Sequence, residues 1–336
     1  MPRKLSYRFE QVFICTTPKL LFETSLMLSR RNIRIKVMQM LYSMSRDEQL
    51  TYPEALRRYH GNIQSAFDMY LYNLYLLLGV TSYAEKDRDR RKVKHLPTEE
   101  DKIFTDRIYR NPLIRALVTN QTLQQEIIRL ELDNHTDQDN VRKIYLDFAK
   151  TDEYKAYLVA EDIDESHRQI LLKLYKHCTS SEVFNEIIED YSANWPDDKS
   201  LVMGTIKKTI KALPSEEDFL NKYRPGDDTV IDFGEKMFQL VHHDDEKLLA
   251  IIEPILKNWD ADRVAIMDMI LIKMALIELM TFSSIPTKVT LNEFVEIAKS
   301  YSTDKSKDFI NGILDRLMKK LDKEGKIKKE GRGLRD

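Results

Sequence analysis

The sequence predicts an all-α protein, and three observations carry that expectation. Only 9 glycines and 10 prolines occur in 336 residues, and Gly325, Gly331 and Gly333 crowd into the last dozen. Turn-dense β folds and glycine-rich phosphate loops are hard to build from so few. Apolar residues recur at the helical interval over long stretches, as in MLSRRNIRIKVMQMLYSM from Met27 onward. Finally, a hydrophobic share of 42% supplies a core while 32% charged residues supply a solvated surface, and no alternating strand pattern stands out. The length fits one large domain or two ordinary ones.

Taken in order, residues 1–26 show no sustained period. Residues 1–27 are set apart as an N-terminal extension, and one reading of the change at Met27 is that translation begins there and the stretch before it comes from a misplaced gene start. From about Ser29 to Ser45, Ile33, Val37, Met40, Leu41 and Met44 share one helical face. A second long helix follows Pro53 through AFDMYLYNLYLLLGV, and the charge run AEKDRDRRKVKHLP then marks a boundary. Residues 28–83 thus form the first part of a bundle. Residues 84–225 read as a helical insertion, with segments such as DESHRQILLKLYKHC and EVFNEIIEDYS separated by NWPDD, ALPSE and YRPGDD. Residues 226–320 complete the bundle, and 321–336 are expected to be a basic disordered tail.

The last third says most. A helix from about Asp260 to Thr281 is apolar nearly all round. Its charges are Asp262, Arg263, Asp268, Lys273 and Glu278; from Arg263 onward they fall every fifth residue, turning about 140° at each step, so these four cannot share one wet face. Each needs a partner or a job. Pro286 then ends a loop, and Thr290 with Glu293 has capping-box spacing. The final helix starts near Ser306, with Phe309, Ile310, Ile313, Leu314 and Leu317 as its apolar set. It contains Asn311-Gly312, a strong hairpin signal elsewhere, but no alternating strand flanks it. Glycine inside a helix costs roughly 1 kcal/mol relative to alanine. The ordinary reading is that it lets another backbone approach; the sharper one is that Asn311 binds something.

Signatures of common enzyme chemistry are missing: no phosphate-loop pattern, no GxSxG, no Cys-His pair at a recognisable spacing. His242-His243 before Asp244-Asp245 reads as a polar turn, because neighbours on a helix diverge by about 100°. Neither a metal nor a cofactor is expected. Cys15 and Cys178 stand far apart, which fits a reduced cytoplasmic setting. No apolar run reaches membrane-spanning length. The net charge is -2, yet residues 28–46 carry Arg30, Arg31, Arg34, Lys36 and Arg46 and no acid. Such arginines are most often the wet side of an amphipathic helix. Against that stands the lack of interleaved acids, which a salt-bridged face normally has. Lys305 and Lys307 beside Phe309 place positive charge next to an aromatic ring, a combination that single-stranded RNA sites use.

Together these stretches resemble the NusB family of bacterial transcription antitermination factors. RRNIRIKVMQMLYS is similar to that family's arginine-rich first helix, through Arg30, Arg31, Arg34, Gln39, Leu41 and Tyr42. ILKNWDADRVAIMDMILIKMALIEL resembles its central helix, including Trp259, Arg263, Ala275 and Glu278. IPTKVTLNEFVEIAKSYSTDKSKDFINGILDRL resembles its signature region, with Pro286, Lys288, Asn292, Glu293, Ala298, Lys299, Phe309, Asn311 and Gly312. Asp308 departs from a basic residue common there, and Lys305 from a frequently acidic one. The resemblance implies a NusB-like helical bundle, here enlarged by the insertion, and an RNA-binding protein rather than an enzyme. Its expected partners are the single-stranded boxA element of ribosomal RNA leaders, the small-subunit ribosomal protein that doubles as NusE, and the RNA polymerase antitermination complex. By position, Arg30, Arg31, Arg34, Lys305, Lys307, Phe309 and Asn311 would face RNA, while Tyr42 and Asp268 would meet the partner protein. The alternative is a helical interaction scaffold that has lost RNA specificity. Ribosomal RNA cytosine methyltransferases carry a similar helical domain, but no glycine-rich cofactor segment follows it here.

Overall fold

Ser29 starts the first helix: its backbone N–H donates to Asn32 Oδ1 at 3.0 Å while its hydroxyl accepts from the Asn32 N–H, a reciprocal cap. In the computed structural model, residues 27–214, 218–256, 264–303 and 305–334 are described. The first helix, α1, spans Arg30–Arg46, and α2 spans Tyr52–Lys92 with Pro53 in its first turn. Within the insertion lie α3 (Asp164–Ser180) and α4 (Trp195–Ala212) among shorter helices. The bundle closes with α5 (Lys236–His243), α6 (Ile266–Thr281), α7 (Thr287–Tyr301) and α8 (Ser306–Lys323). Among the described residues there is no strand, and Asn311-Gly312 lies inside α8 as helical spacing required.

Two apolar cores share α2. Its first turns send Ala55, Tyr59 and Ile63 into a core with α1 and α5–α8. From Ala66 to Ala84 it sends residues into a second core with the insertion helices. At 1.5 Å per residue, its 41 residues make a rod of about 60 Å. The cores therefore part within α2, well before the boundary expected at residue 83. Nor does a break come at the start of AEKDRDRRKVKHLP: α2 continues into it as far as Lys92, and several of its charges have partners. Asp87 is fully buried and accepts from Arg90 and Arg91 at 2.8 Å each, and Arg91 also reaches Asp101 at 3.0 Å.

Helix α6 is buried nearly all round from Ile270 to Leu279, and its described charges have the partners their spacing called for. Glu278 takes Arg34 of α1, Lys273 takes Asp245, and Asp268 accepts from Ser302 and Ser306. Arg263 and Trp259 lie outside the described residues. The close approach expected at Gly312 is found elsewhere. A Cβ on Gly312 would meet open space, whereas one on Gly234 would lie 1.9 Å from Tyr59 Oη and 2.4 Å from Ile33 Cγ2. Gly234 sits in the wide helical turn 230–235, where the Tyr59 hydroxyl donates to the Val230 carbonyl at 2.9 Å. The expected disordered tail also folds back through residue 334. Gly325, at φ 66°, ends α8, and the Glu330 N–H then donates to the Ser283 carbonyl at 3.0 Å.

Candidate RNA-binding face

Three pieces build the candidate face: the start of α1, the outer side of α7, and the start of α8. Helix α1 opens with Arg30 and Arg31 and has no acid in its first turn. Its positive end and two guanidinium groups therefore add rather than cancel. Arg31 makes a two-pronged pair with Glu293 of α7, Nε to Oε2 at 2.8 Å and Nη2 to Oε1 at 2.7 Å. Its side chain stays half exposed, so the carboxylate orients the guanidinium while leaving an edge to solvent. Arg30 is exposed, lies 5.5 Å from the centre of the Phe233 ring, and has no ion pair among the described residues.

Arg34 is placed differently from the expectation. It is buried, with Nε and Nη2 each 2.7 Å from the Glu278 carboxylate and Nη1 3.4 Å from Glu293. Phe233 and Phe294 cover its guanidinium at 5.2 and 5.7 Å. Thr290 donates its hydroxyl to Glu278 Oε1 at 2.8 Å, adding a further bond to that buried carboxylate. No face of Arg34 is left for phosphate, so it acts as a positioning residue: through Glu293 it steadies the carboxylate that holds Arg31. The physical reason is helical phase. Arg34 shares the inward stripe with Ile33 and Val37, one turn further into the bundle than Arg30 and Arg31. The Thr290–Glu293 capping box is accordingly absent. Helix α7 begins at Thr287 after Pro286, which puts Thr290 inside the helix and frees both side chains for this network.

At the other end of the face, Lys305 is exposed and Lys307 half exposed, 3.9 Å from Asp308. Phe309 packs part of its ring on the bundle core, and Asn311 is exposed. Glu296, one turn along α7 from Glu293, links the two ends electrostatically. Its carboxyl is held below the usual range by Lys299 above all, then by Arg31 and Lys307. Arg31 and Lys307 therefore both lie within electrostatic reach of one carboxylate on one helix.

Asp268 was expected at a partner surface, but it is buried. Ser306 donates to its Oδ2 at 2.8 Å and Ser302 to its Oδ1, pinning the turn between α7 and α8 that presents Lys305 and Lys307. Tyr42, by contrast, is exposed on α1. Sequence reasoning missed Ser302, Ser306, Phe233 and the roles of Thr290 and Glu293. The one usable signal was the pair of lone acids, Asp268 and Glu278, in an otherwise apolar helix.

A family model described as the NusB family matches residues 205–319. The transcription antitermination protein NusB of Salinibacter ruber is 40% identical over 108 residues, 32% of this chain and 68% of that protein. The protein of the same name from Chloroherpeton thalassium is 47% identical over 79 residues, 24% of this chain and 37% of its own length. That of Natranaerobius thermophilus is 42% identical over 78 residues, 23% of this chain and 56% of its own. No solved structure matches the chain.

Proposed function

We propose, from the premise that this chain belongs to the NusB family of transcription antitermination proteins, that it binds boxA-type single-stranded RNA of ribosomal leader transcripts together with NusE. In this reading it joins the RNA polymerase antitermination complex in the cytoplasm, supports ribosomal RNA transcription, and catalyses no reaction. The observation that carries the reading is the arrangement around α7. Arg31 is held half exposed by Glu293, and Lys307 acts on the same Glu296 that senses Arg31.

The mechanism is coincidence binding. Arg30, Arg31, Lys305 and Lys307 contact phosphates and supply affinity that falls with salt. The exposed part of Phe309 and the Asn311 amide receive unstacked bases and supply selectivity. NusE, meeting the Tyr42 side of α1, adds a second surface, so binding of protein and RNA reinforce each other. Asp268 and Arg34 hold this face in shape and touch neither ligand.

Fluorescence anisotropy of a labelled boxA oligonucleotide, with and without NusE across a salt series, tests this. Replacing Arg30, which holds no ion pair to disrupt, with alanine is expected to weaken binding and flatten the log–log salt slope by about 0.7, the value for one phosphate on a single strand. An unchanged slope removes α1 from the RNA face. Absence of RNA binding in both conditions overturns the proposal and favours the scaffold reading.

A further inference from the structure

The face along α7 ends, at the start of that helix, in a cleft of about 640 Å³ between the first turn of α1 and the loop that leads into α7. The 15 residues of α7 span about 22 Å, so the turn that presents Lys305 and Lys307 stands at the opposite end of the face. Arg30, Arg31 and Arg34 line the cleft on the α1 side. Arg34 is matched by Glu278 and Arg31 by Glu293, which leaves Arg30 as the lining cation without an ion pair among the described residues. The α7 side is apolar, with Ile285, Pro286 and Val289, and Val289 is 43% exposed. Ser284 lines the cleft too; it is exposed, and its hydroxyl has no hydrogen bond among the described residues.

The loop that carries the apolar wall is tied down from two directions. The Phe282 ring packs edge-on against Phe233 at 4.9 Å, and Phe233 lies under the Arg30 guanidinium. From outside, the folded-back tail holds the backbone: Lys329 Nζ donates to the Phe282 carbonyl at 3.1 Å, and the Glu330 N–H donates to the Ser283 carbonyl at 3.0 Å. A cation, a fixed apolar wall and a free hydroxyl in one cleft match the three parts of an unpaired nucleotide. An acidic side chain would use the cation alone, and an aliphatic one would cover Arg30 without pairing it. We infer, resting on the RNA-binding reading above, that the cleft seats one end nucleotide of the bound strand. Its base lies against Pro286 and Val289 with an edge at the Ser284 hydroxyl, and its phosphate lies on Arg30. The rest of the strand then follows α7 toward Lys307.

The test uses the full chain with NusE and a boxA oligonucleotide carrying short flanks, in which the fluorescent base 2-aminopurine replaces one base at a time. One position at an end of the bound segment should brighten on binding, as its base leaves its neighbours for an apolar wall. Val289→Asp should abolish that signal and weaken binding about fivefold, the lower end of what one stacked base contributes. Deleting that nucleotide should weaken binding by the unmodified protein by the same factor and leave Val289→Asp unaffected, since both changes remove one contact. Ser284→Ala should keep the signal but flatten the preference for which base takes the position. Equal binding by Val289→Asp, additive losses from the two changes, or a base preference that Ser284→Ala leaves unaltered overturns the inference, while RNA binding by the rest of the face stands. Weaker binding of NusE by Val289→Asp in the absence of RNA would make the occupant a protein and overturn it equally. Absence of RNA binding by the unmodified chain overturns the parent reading and this one with it.

Discussion

The two cores on α2 solve the same problem, burying polar atoms, with different chemistry. In the bundle the buried polar groups are charges: Arg34, Glu278 and Asp268. In the insertion many are phenols. Tyr70, Tyr145, Tyr154 and Tyr175 are fully buried or nearly so, whereas Tyr59 is the counterpart in the bundle. Tyr70 is bonded to the Thr209 hydroxyl at 2.9 Å and Tyr175 to the Asn73 amide at 2.9 Å, both neutral, while Tyr145 meets the Tyr154 hydroxyl and the Asp87 carboxylate. The difference follows from what each core supports. A charge chain running from α6 through Arg34 and Glu293 to Arg31 fixes a surface cation, which hydroxyls could not do. The insertion buries carboxylates too, Asp87 and Asp106, each paired with arginines of α2, and its phenols add neutral hydrogen bonds that specify packing.

The largest expected break is therefore in the bundle. Arg34→Ala leaves Glu278 buried with only Thr290, and should cost about 3–5 kcal/mol in urea unfolding. Glu278→Met combined with Arg34→Met should cost much less than either alone, because no orphaned charge remains. The double variant should fold yet bind RNA more weakly, since Glu293 and Arg31 lose their support. A double variant as unstable as Arg34→Ala would mean that packing, not the unpaired charge, sets the loss.

At the junction between the regions sits a second buried pair. Lys36 Nζ of α1 lies 2.7 Å from Asp198 Oδ2 of α4, and Gln39 reaches Asp197 at 2.9 Å. Burial raises the Asp198 carboxyl above its ordinary 3.8, although Lys36 opposes this. A carboxyl raised in the folded state binds its proton there more tightly, so its contribution to stability falls as pH rises above about 4. Lys36→Met removes the opposition and steepens that fall. The variant should lose about 1–3 kcal/mol at neutral pH, and the deficit should shrink at pH 5 as Asp198 takes up a proton. A deficit independent of pH would show that the lysine stem, not its charge, joins the two regions.

Legibility in the sequence tracks the same contrast. The bundle helices were readable because their periods are local: α1 and α8 lie within a residue or so of expectation, and the five-residue spacing of charges in α6 announced buried partners. Which partner each charge takes was not readable, since Arg34 and Glu278 stand 244 positions apart. The same gap led Arg34 to be assigned to RNA and Asp268 to a partner. In the insertion the charge run of α2 was read as a boundary because two of its buried acceptors come later in the chain, Asp101 in a short helix and Asp106 at the cap of the next. A smaller break sharpens the comparison there. Tyr175→Phe removes one hydroxyl and leaves Asn73 Oδ1 unsatisfied, an expected loss of about 1 kcal/mol with no change in RNA binding. A change in RNA affinity would mean the insertion core is coupled to the face.

The smallest expected effect has the opposite sign. Two glycines look alike in the sequence, yet Gly234 is enclosed by Tyr59 and Ile33 while Gly312 has nothing within reach of a Cβ. Inside the chain, then, nothing offsets the helix penalty at Gly312. Gly312→Ala should raise stability by about 0.5–1 kcal/mol, read as a shift in urea midpoint at constant slope. A glycine here, at a cost to the helix, is accounted for if something outside the chain approaches beside Asn311 and the α8 start. The same variant should therefore weaken binding of boxA RNA with NusE while the protein itself becomes more stable. Stabilisation with unaltered binding would detach Gly312 from the RNA face and leave its surface glycine without a physical cause.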